Sequence, residues 1–291
     1  MIKDIPTKVA TQLNFFDAVW EPSDFRWSLE NEPFRPSNLT KPDTHDVDIH
    51  NFRSLLPEEL KRLEMDFEHA GFHFQQGWGP GGESMASSWA NQAWRDPKWI
   101  ETVYYPYIVS LLNETLFPNA KIAIFDHTVR QRNGSYVPTA EQTHIDQTYW
   151  AALERIRMHH GQETLDSVLR GDARAFICNV WRPLIGPVLD RPLAVADRRT
   201  ILDNRDLNLT APALPGCRTG ESQMIRYHPD QKWYYPSGMQ LDECLMLKIF
   251  DSKTGVGSPH SAFYDPSTPS DAPPRWSMEV CTIAVMKTSA V

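Results

Sequence analysis

KIAIFDHTVR (residues 121–130), EQTHIDQTYW (141–150) and AFICNVWRPL (175–184) mark where the sequence turns from a helical to an extended texture. Short β-rich runs punctuated by Pro, Gly and Asp recur in PLAVADRRTI (192–201), SQMIRYHP (222–229), ECLMLKIFDS (243–252), HSAFYD (260–265) and RWSMEVCTIAVM (275–286). Seven or eight such strands, with one helical insert at about 151–170, predict an antiparallel sandwich or jelly roll.

Upstream, LPEELKRLEMDFEHAGF (56–72) places Leu60, Leu63 and Phe67 at helical spacing, after Ser54 as its cap and before Gly71, which ends it. KWIETVYYPYIVSLLNETLF (98–117) predicts a second helix, kinked at Pro106. Between them, GWGPGGES (77–84) lacks the Gly-Lys-Ser/Thr of a phosphate loop and reads as a surface loop or flap. Residues 1–55, rich in Pro, Asp and Asn without a sustained period, read as an arm over the body. No repeat or linker divides the chain. The expectation is a single domain, mainly β with flanking helices: an arm (1–55), a helical buttress (56–120) and a double-stranded β-helix core (121–291).

The 291 residues are 41% hydrophobic and 23% charged with ten Trp, enough for a core and an aromatic-lined pocket. The net charge of −8, with both signs interleaved, leaves no basic stripe to neutralise a phosphate backbone, so nucleic acid is a poor partner. MIKDIPTKVATQLNFF has no apolar core of signal-peptide length, and no segment approaches the roughly 20 apolar residues of a membrane span. A cytoplasmic location is expected. Cys178, Cys217, Cys244 and Cys281 form no CxxC pair and are expected to be reduced.

Two residues apart on an expected strand, His144 and Asp146 point to the same face. His260 follows on a later strand, and fifteen residues beyond it come Arg275 and Ser277 as R-x-S. Two histidines and one carboxylate on one face of an octahedral metal leave open positions, as in iron(II) sites that bind a chelating co-substrate and dioxygen. A guanidinium suits the distal carboxylate of 2-oxoglutarate, because its planar fork makes two parallel charge-assisted bonds; Arg275 fits, with Ser277 as a second donor. His228 is the rival third ligand, but Pro229 breaks its strand at once. His159 and His160 diverge by about 100° on a helix and cannot easily share a metal. His127 reads as a core or surface histidine.

HIDQTYW (144–150), NVWRPLIGPVLDRPLAVAD (179–197), Trp-Tyr-Tyr at 233–235 and PHSAFYDPSTPSDAPPRWSMEV (259–280) together resemble the hydroxylase/desaturase family of fungal secondary metabolism, related to gibberellin desaturase-like and cephem methoxylase-like proteins. The resemblance covers residues 120–286 well and the N-terminal part loosely. It implies a double-stranded β-helix, Fe(II), 2-oxoglutarate and O2, and oxidation of a small-molecule substrate by hydroxylation, desaturation or cyclisation, with release of succinate and CO2. Asn179 and Trp181 face one way on their strand and Arg182 the other. Arg182 reads as a second carboxylate anchor or as a salt-bridge partner within the sheet. Arg130 ends the strand before the metal motif and reads as a substrate contact or a solvated strand end. Trp150, Tyr149, Trp233 and Tyr234 read as pocket lining or core. Two alternatives use the same fold: a metal-dependent hydrolase or isomerase without 2-oxoglutarate, in which Arg275 is dispensable, and a non-catalytic jelly-roll binding protein.

Overall fold

The structure, a computed structural model, describes residues 6–16, 42–79, 82–132, 136–210 and 221–288. Two sheets form the body. One has eight strands in the order β1 (Lys8–Phe15), β2 (Asp43–Asn51), β10 (Trp233–Tyr235), β7 (Leu193–Ala196), β13 (His260–Ala262), β5 (His144–Ile145), β9 (Ser222–Ile225) and β8 (Leu207–Thr210). The other runs β12 (Gly255–Val256), β11 (Cys244–Asp251), β6 (Ala173–Pro183), β14 (Trp276–Lys287) and β4 (Lys121–Gln131), with β3 (Phe72–Gln75) also pairing to β11. Pairing is antiparallel except between β10 and β2. This is the expected double-stranded β-helix.

The second sheet is covered on both faces. Ile177, Trp181, Leu245, Leu247 and Ile283 pack inward with Ile145, Val195 and Trp233 of the first sheet. On the outer face, Cys178, Val180, Met246, Met278 and Val280 pack against Trp89, Tyr104, Ile108 and Leu111 of the N-terminal helices. That double burial explains why AFICNVW and ECLMLKIF read as continuous apolar runs rather than alternating ones. The helical part is therefore a buttress, as expected.

Local details differ from the sequence reading. The first helix is only Pro57–Arg62; Leu56 precedes it, its N–H donates to Glu59 at 2.9 Å, and Glu64 at φ 48° ends it. Ser54 does not cap it, because its Oγ donates to the Asn51 carbonyl instead. The second helix is broken into Pro97–Trp99, a π-helical turn Ile100–Tyr104 and Tyr105–Thr115. The π turn carries the chain into Pro106, which has no N–H to continue an α ladder. The end of GWGPGGES belongs to a helix, Gly82–Ala90. The described parts of the expected arm are strands: β1 alternates buried and exposed positions, and β1 and β2 join the larger sheet. The expected helical insert is two helices, Tyr149–His160 and Gln162–Arg170, parted at Gly161.

Cys178, Cys244 and Cys281 are free thiols; Cys217 lies outside the described residues. Among the described residues no helix is long and apolar enough to cross a membrane.

Candidate active site

β5 spans only His144 and Ile145, so Asp146 lies just beyond the strand rather than on it. Convergence comes instead from pairing. His260 sits directly opposite His144 on β13, with ring centroids 4.5 Å apart, and the chain bends after Ile145 to bring Asp146 between them. Asp146 Oδ1 is 3.3 Å from His144 Nε2, and Oδ2 is 3.8 Å from His260 Nε2. One ligand atom from each of the three lies within 4.8 Å of the others. The segment entering β13 is pressed onto β11 at Gly257, where a Cβ would fall 1.6 Å from the Lys248 carbonyl oxygen, so only glycine fits.

The orientation of the three groups is that of a ligand set. His144 Nδ1 faces the Gln142 carbonyl at 2.7 Å, and His260 Nδ1 faces the Ser258 carbonyl at 3.4 Å. Donation from Nδ1–H leaves the Nε2 lone pairs for the site. Asn179 Nδ2 donates to Asp146 Oδ2 at 2.5 Å, which fixes the carboxylate. Burial pushes His260 down to about 4, with the charge of His144 adding to it. Burial alone would raise the Asp146 carboxyl, but the His144 hydrogen bond and the His260 charge hold it well below the usual carboxylate range. Burial works against a charged His144 as well, but the Asp146 hydrogen bond and charge outweigh it and raise this imidazole; a cation bound between the three would take the place of that proton.

A second pole lies at the start of β14. Arg275 is 4% exposed; one Nη1–H donates to the Arg191 carbonyl, while Nε is buried without a partner among the described residues. Burial, and then the nearby Arg130, pushes its guanidinium down to about 9. Ser277 Oγ is likewise buried and unpartnered. The Trp181 ring lies 5.5 Å from the guanidinium. Two unpartnered donors in a dry cationic corner are what an incoming carboxylate would satisfy.

The pocket joining the two poles is lined by Arg130, Ala140, Trp181, Leu193 and Glu279 as well as by His144, His260 and Arg275. Strand register explains the set: Ser277 lies opposite Arg130, and Glu279 opposite both Thr128 and Trp181, so these side chains share the inner face. A larger cleft of about 560 Å³ opens elsewhere, lined by Asp48, His50, Tyr227, His228 and Asp230. It holds His228, 3.3 Å from Asp230, away from the triad. Size alone does not locate the site.

Two expected site residues are displaced. Arg182 faces the helices, not the pocket: its Nη1 donates to the Leu241 carbonyl at 3.1 Å and its Nη2 to Tyr107 Oη at 3.0 Å, under the rings of Trp78 and Trp89. Facing away from the pocket, it is no carboxylate anchor there, and among the described residues it makes no salt bridge. Trp150 stands 72% exposed on the helix Tyr149–His160 and does not line the pocket, because the turn after Asp146 carries it outward. Trp233 and Tyr234 are core. His127 bonds Tyr105 Oη at 2.6 Å, and His160 faces the Ile283 carbonyl at 3.3 Å. Sequence reasoning missed Glu279, a buried carboxyl raised above the ordinary range by burial first and Asp146 second. Its signal was present, since it continues the period-two series Arg275, Ser277.

A family model described as an Oxidoreductase/YMDC permease-like domain matches residues 13–285. The hydroxylase/desaturase poxK of Penicillium oxalicum is 33% identical over 217 residues, covering 64% of this chain and 66% of that protein. The Fe(II)/2-oxoglutarate-dependent dioxygenase nvfI of Aspergillus novofumigatus is 33% identical over 267 residues, covering 89% and 84%. Aspirochlorine biosynthesis protein N of Aspergillus oryzae is 41% identical over 150 residues, covering 50% and 60%. The chain thus spans just under two thirds of poxK and three fifths of the aspirochlorine protein. The solved structure of an iron and alpha-ketoglutarate-dependent endoperoxidase, NvfI, superposes with a TM-score of 0.78 over 97% of this chain and 99% of that one, at 26% identity.

Proposed function

We propose that this chain, which belongs to the oxidoreductase family of the fungal hydroxylase/desaturases, is an iron(II)- and 2-oxoglutarate-dependent oxygenase of a small secondary metabolite. The observation that carries the reading is that the pocket lined by His144 and His260 of the His144/Asp146/His260 donor set is also lined by Arg275, whose Nε is unpartnered, with the unpartnered Oγ of Ser277 one strand period along. A hydrolase or isomerase without a 2-oxo acid would have no use for the second pole.

In this reading His144, Asp146 and His260 would hold the iron, and the Asn179 amide, donating to Asp146, would keep that carboxylate in place. Iron(II) with 2-oxoglutarate and dioxygen supplies the oxidation of an unactivated carbon, releasing succinate and CO2. Arg275 and Ser277 hold the distal carboxylate of the co-substrate, and Trp181 and Leu193 exclude water from its carbon chain. Arg130 and Glu279 present the remaining polar groups of the pocket to the substrate. The chain works as one domain in the cytosol, with a small-molecule substrate and no nucleic-acid partner.

Anaerobic addition of iron(II) and then 2-oxoglutarate to the metal-free protein should produce the weak visible charge-transfer band of the chelate, and oxygen should then release succinate. No band and no succinate would refute the reading. His260→Ala should abolish the band while His228→Ala keeps it; the reverse would move the third ligand to His228.

A further inference from the structure

The turn between β6 and β7, IGPVLDRP (185–192), reaches across to the residue that starts the second pole. Asp190 is 3% exposed, and its carboxylate is shared. Oδ2 accepts the Arg275 backbone N–H at 3.0 Å, and Oδ1 accepts from the Arg132 guanidinium. The Arg132 N–H in turn donates to the Arg275 carbonyl at 3.0 Å. Both backbone polar groups of Arg275 are therefore tied to one buried carboxylate, directly and through Arg132.

The next residue holds the side chain. Arg191 adopts φ 48°, a left-handed conformation that residues with a Cβ rarely take. In that conformation its carbonyl oxygen accepts Arg275 Nη1 at 2.5 Å. Its side chain lies among opposite charge and a ring face: Nε is 3.1 Å from Glu141 Oε1 as an ion pair without hydrogen-bond alignment, and the guanidinium lies 5.2 Å from the centre of the Tyr264 ring. An unusual backbone conformation persists where its surroundings over-determine it, and such sites cluster at ligand clamps.

We infer that Asp190 and Arg191 are positioning residues that lock Arg275 with its unpartnered edge toward the co-substrate, and that this lock selects 2-oxo acids bearing a distal carboxylate. The inference rests on the proposed 2-oxoglutarate dependence. One Nη1 bond goes to a neutral carbonyl rather than to an acid, so the guanidinium is aimed without being neutralised. A carboxylate at the same place would have occupied the fork.

The test compares two ligands of equal chain length, 2-oxoglutarate and 2-oxovalerate, which lacks the distal carboxylate. Iron(II)-loaded wild type, Asp190→Ala, Asp190→Asn, Arg191→Ala and Arg191→Gly are titrated anaerobically through the chelate absorption, with iron affinity and thermal midpoint measured alongside. Asp190→Ala should raise the Kd for 2-oxoglutarate by roughly tenfold or more while leaving that for 2-oxovalerate within about twofold. Asp190→Asn, which keeps an acceptor for the Arg275 N–H, should lose less. Arg191→Ala should raise the 2-oxoglutarate Kd by roughly threefold to tenfold, and Arg191→Gly, at home in the left-handed region, should lose less. If the ratio of the two Kd values stays at the wild-type figure in both alanine variants, the inference is overturned. It is equally overturned if both Kd values rise together with a fall in thermal midpoint, because the turn is then a support for the fold. Should Asp190→Ala fail to fold, Asp190→Asn and Arg191→Ala carry the same ratio test. A wild type that shows no band with 2-oxoglutarate removes the functional reading itself, a pattern distinct from a normal wild-type band with unmoved variants.

Discussion

Arg182 on β6 and Arg275 just before the paired strand β14 are both buried, at 0% and 4% exposure, yet they face opposite sides and opposite fates. Arg182 is opposite Met278 and points into the helical layer. Both of its terminal nitrogens are bonded, to the Leu241 carbonyl and to Tyr107 Oη, and three aromatic rings lie within 5.8 Å of the guanidinium carbon. Arg275 lines the pocket with one terminal nitrogen bonded and one aromatic neighbour, and two residues along the chain the Ser277 hydroxyl is buried and unpartnered among the described residues. Each leaves Nε unpartnered, so that atom alone does not tell them apart. Burial of an arginine is thus no evidence of binding. The difference lies in what remains unsatisfied around it: a cation enclosed by neutral acceptors and π faces stabilises the core, whereas one desolvated and left short of partners gains them when an anion arrives.

The largest effect that would sharpen this contrast is on stability. Arg182→Ala should cost about 3–5 kcal/mol in chemical denaturation, through a cavity and the stranded Tyr107 and Leu241 groups. Arg182→Met, which fills the space without a charge, should recover most of the loss. Neither should shift the 2-oxoglutarate Kd of the folded fraction; a selective loss of co-substrate binding in Arg182→Met would erase the distinction. Arg275→Ala should behave in the opposite way. It should weaken 2-oxoglutarate by about 2–5 kcal/mol, the cost of truncating a desolvated charge-assisted pair, with little change in the denaturation midpoint.

Strand alternation already told that Asn179 and Trp181 oppose Arg182, but not which side is the pocket. That is decided by the helices packed on the outer face, a contact between segments far apart in sequence. His144 with Asp146, and Arg275 with Ser277, could be picked out because each pair has a local spacing, and His260 by its place fifteen residues before Arg275. The geometry behind the first was misjudged, since Asp146 lies past a two-residue strand and is placed by a bend and by Asn179. Asp190 and Arg191 were invisible, because a left-handed turn residue that is neither Gly nor Asn leaves no sign in the sequence. β1 and β2 were passed over for another reason. β2 reads DTHDVDIHN, polar along most of its length, and is held partly by parallel pairing with β10, almost two hundred residues away.

Asn179 separates the two faces by a smaller step. It sits three residues before Arg182 on the same strand but bonds Asp146. Asn179→Ala should weaken iron(II) binding by roughly tenfold to a hundredfold, the usual loss when a partner of a ligand is removed. Stability should change far less than in Arg182→Ala. Metal titration followed by denaturation of the same samples measures both.

The smallest predicted effect isolates the aromatic cover of Arg182. Trp78, from the glycine-rich stretch, places its ring 4.5 Å from the guanidinium, while its carbonyl accepts from Tyr107 Oη, which also receives the Arg182 Nη2 bond. Trp78→Leu keeps an apolar side chain and the backbone acceptor but removes the π face, so it should cost about 0.5–2 kcal/mol of stability. Combined with Arg182→Met, the two losses should not add, because the ring then has no cation to cover; a double-mutant cycle in urea reads that coupling directly. Full additivity would mean that Trp78 only fills space. A rise in 2-oxoglutarate Kd in Trp78→Leu would mean that the stretch reaches the pocket, and that the two arginines are coupled through the sheet between them.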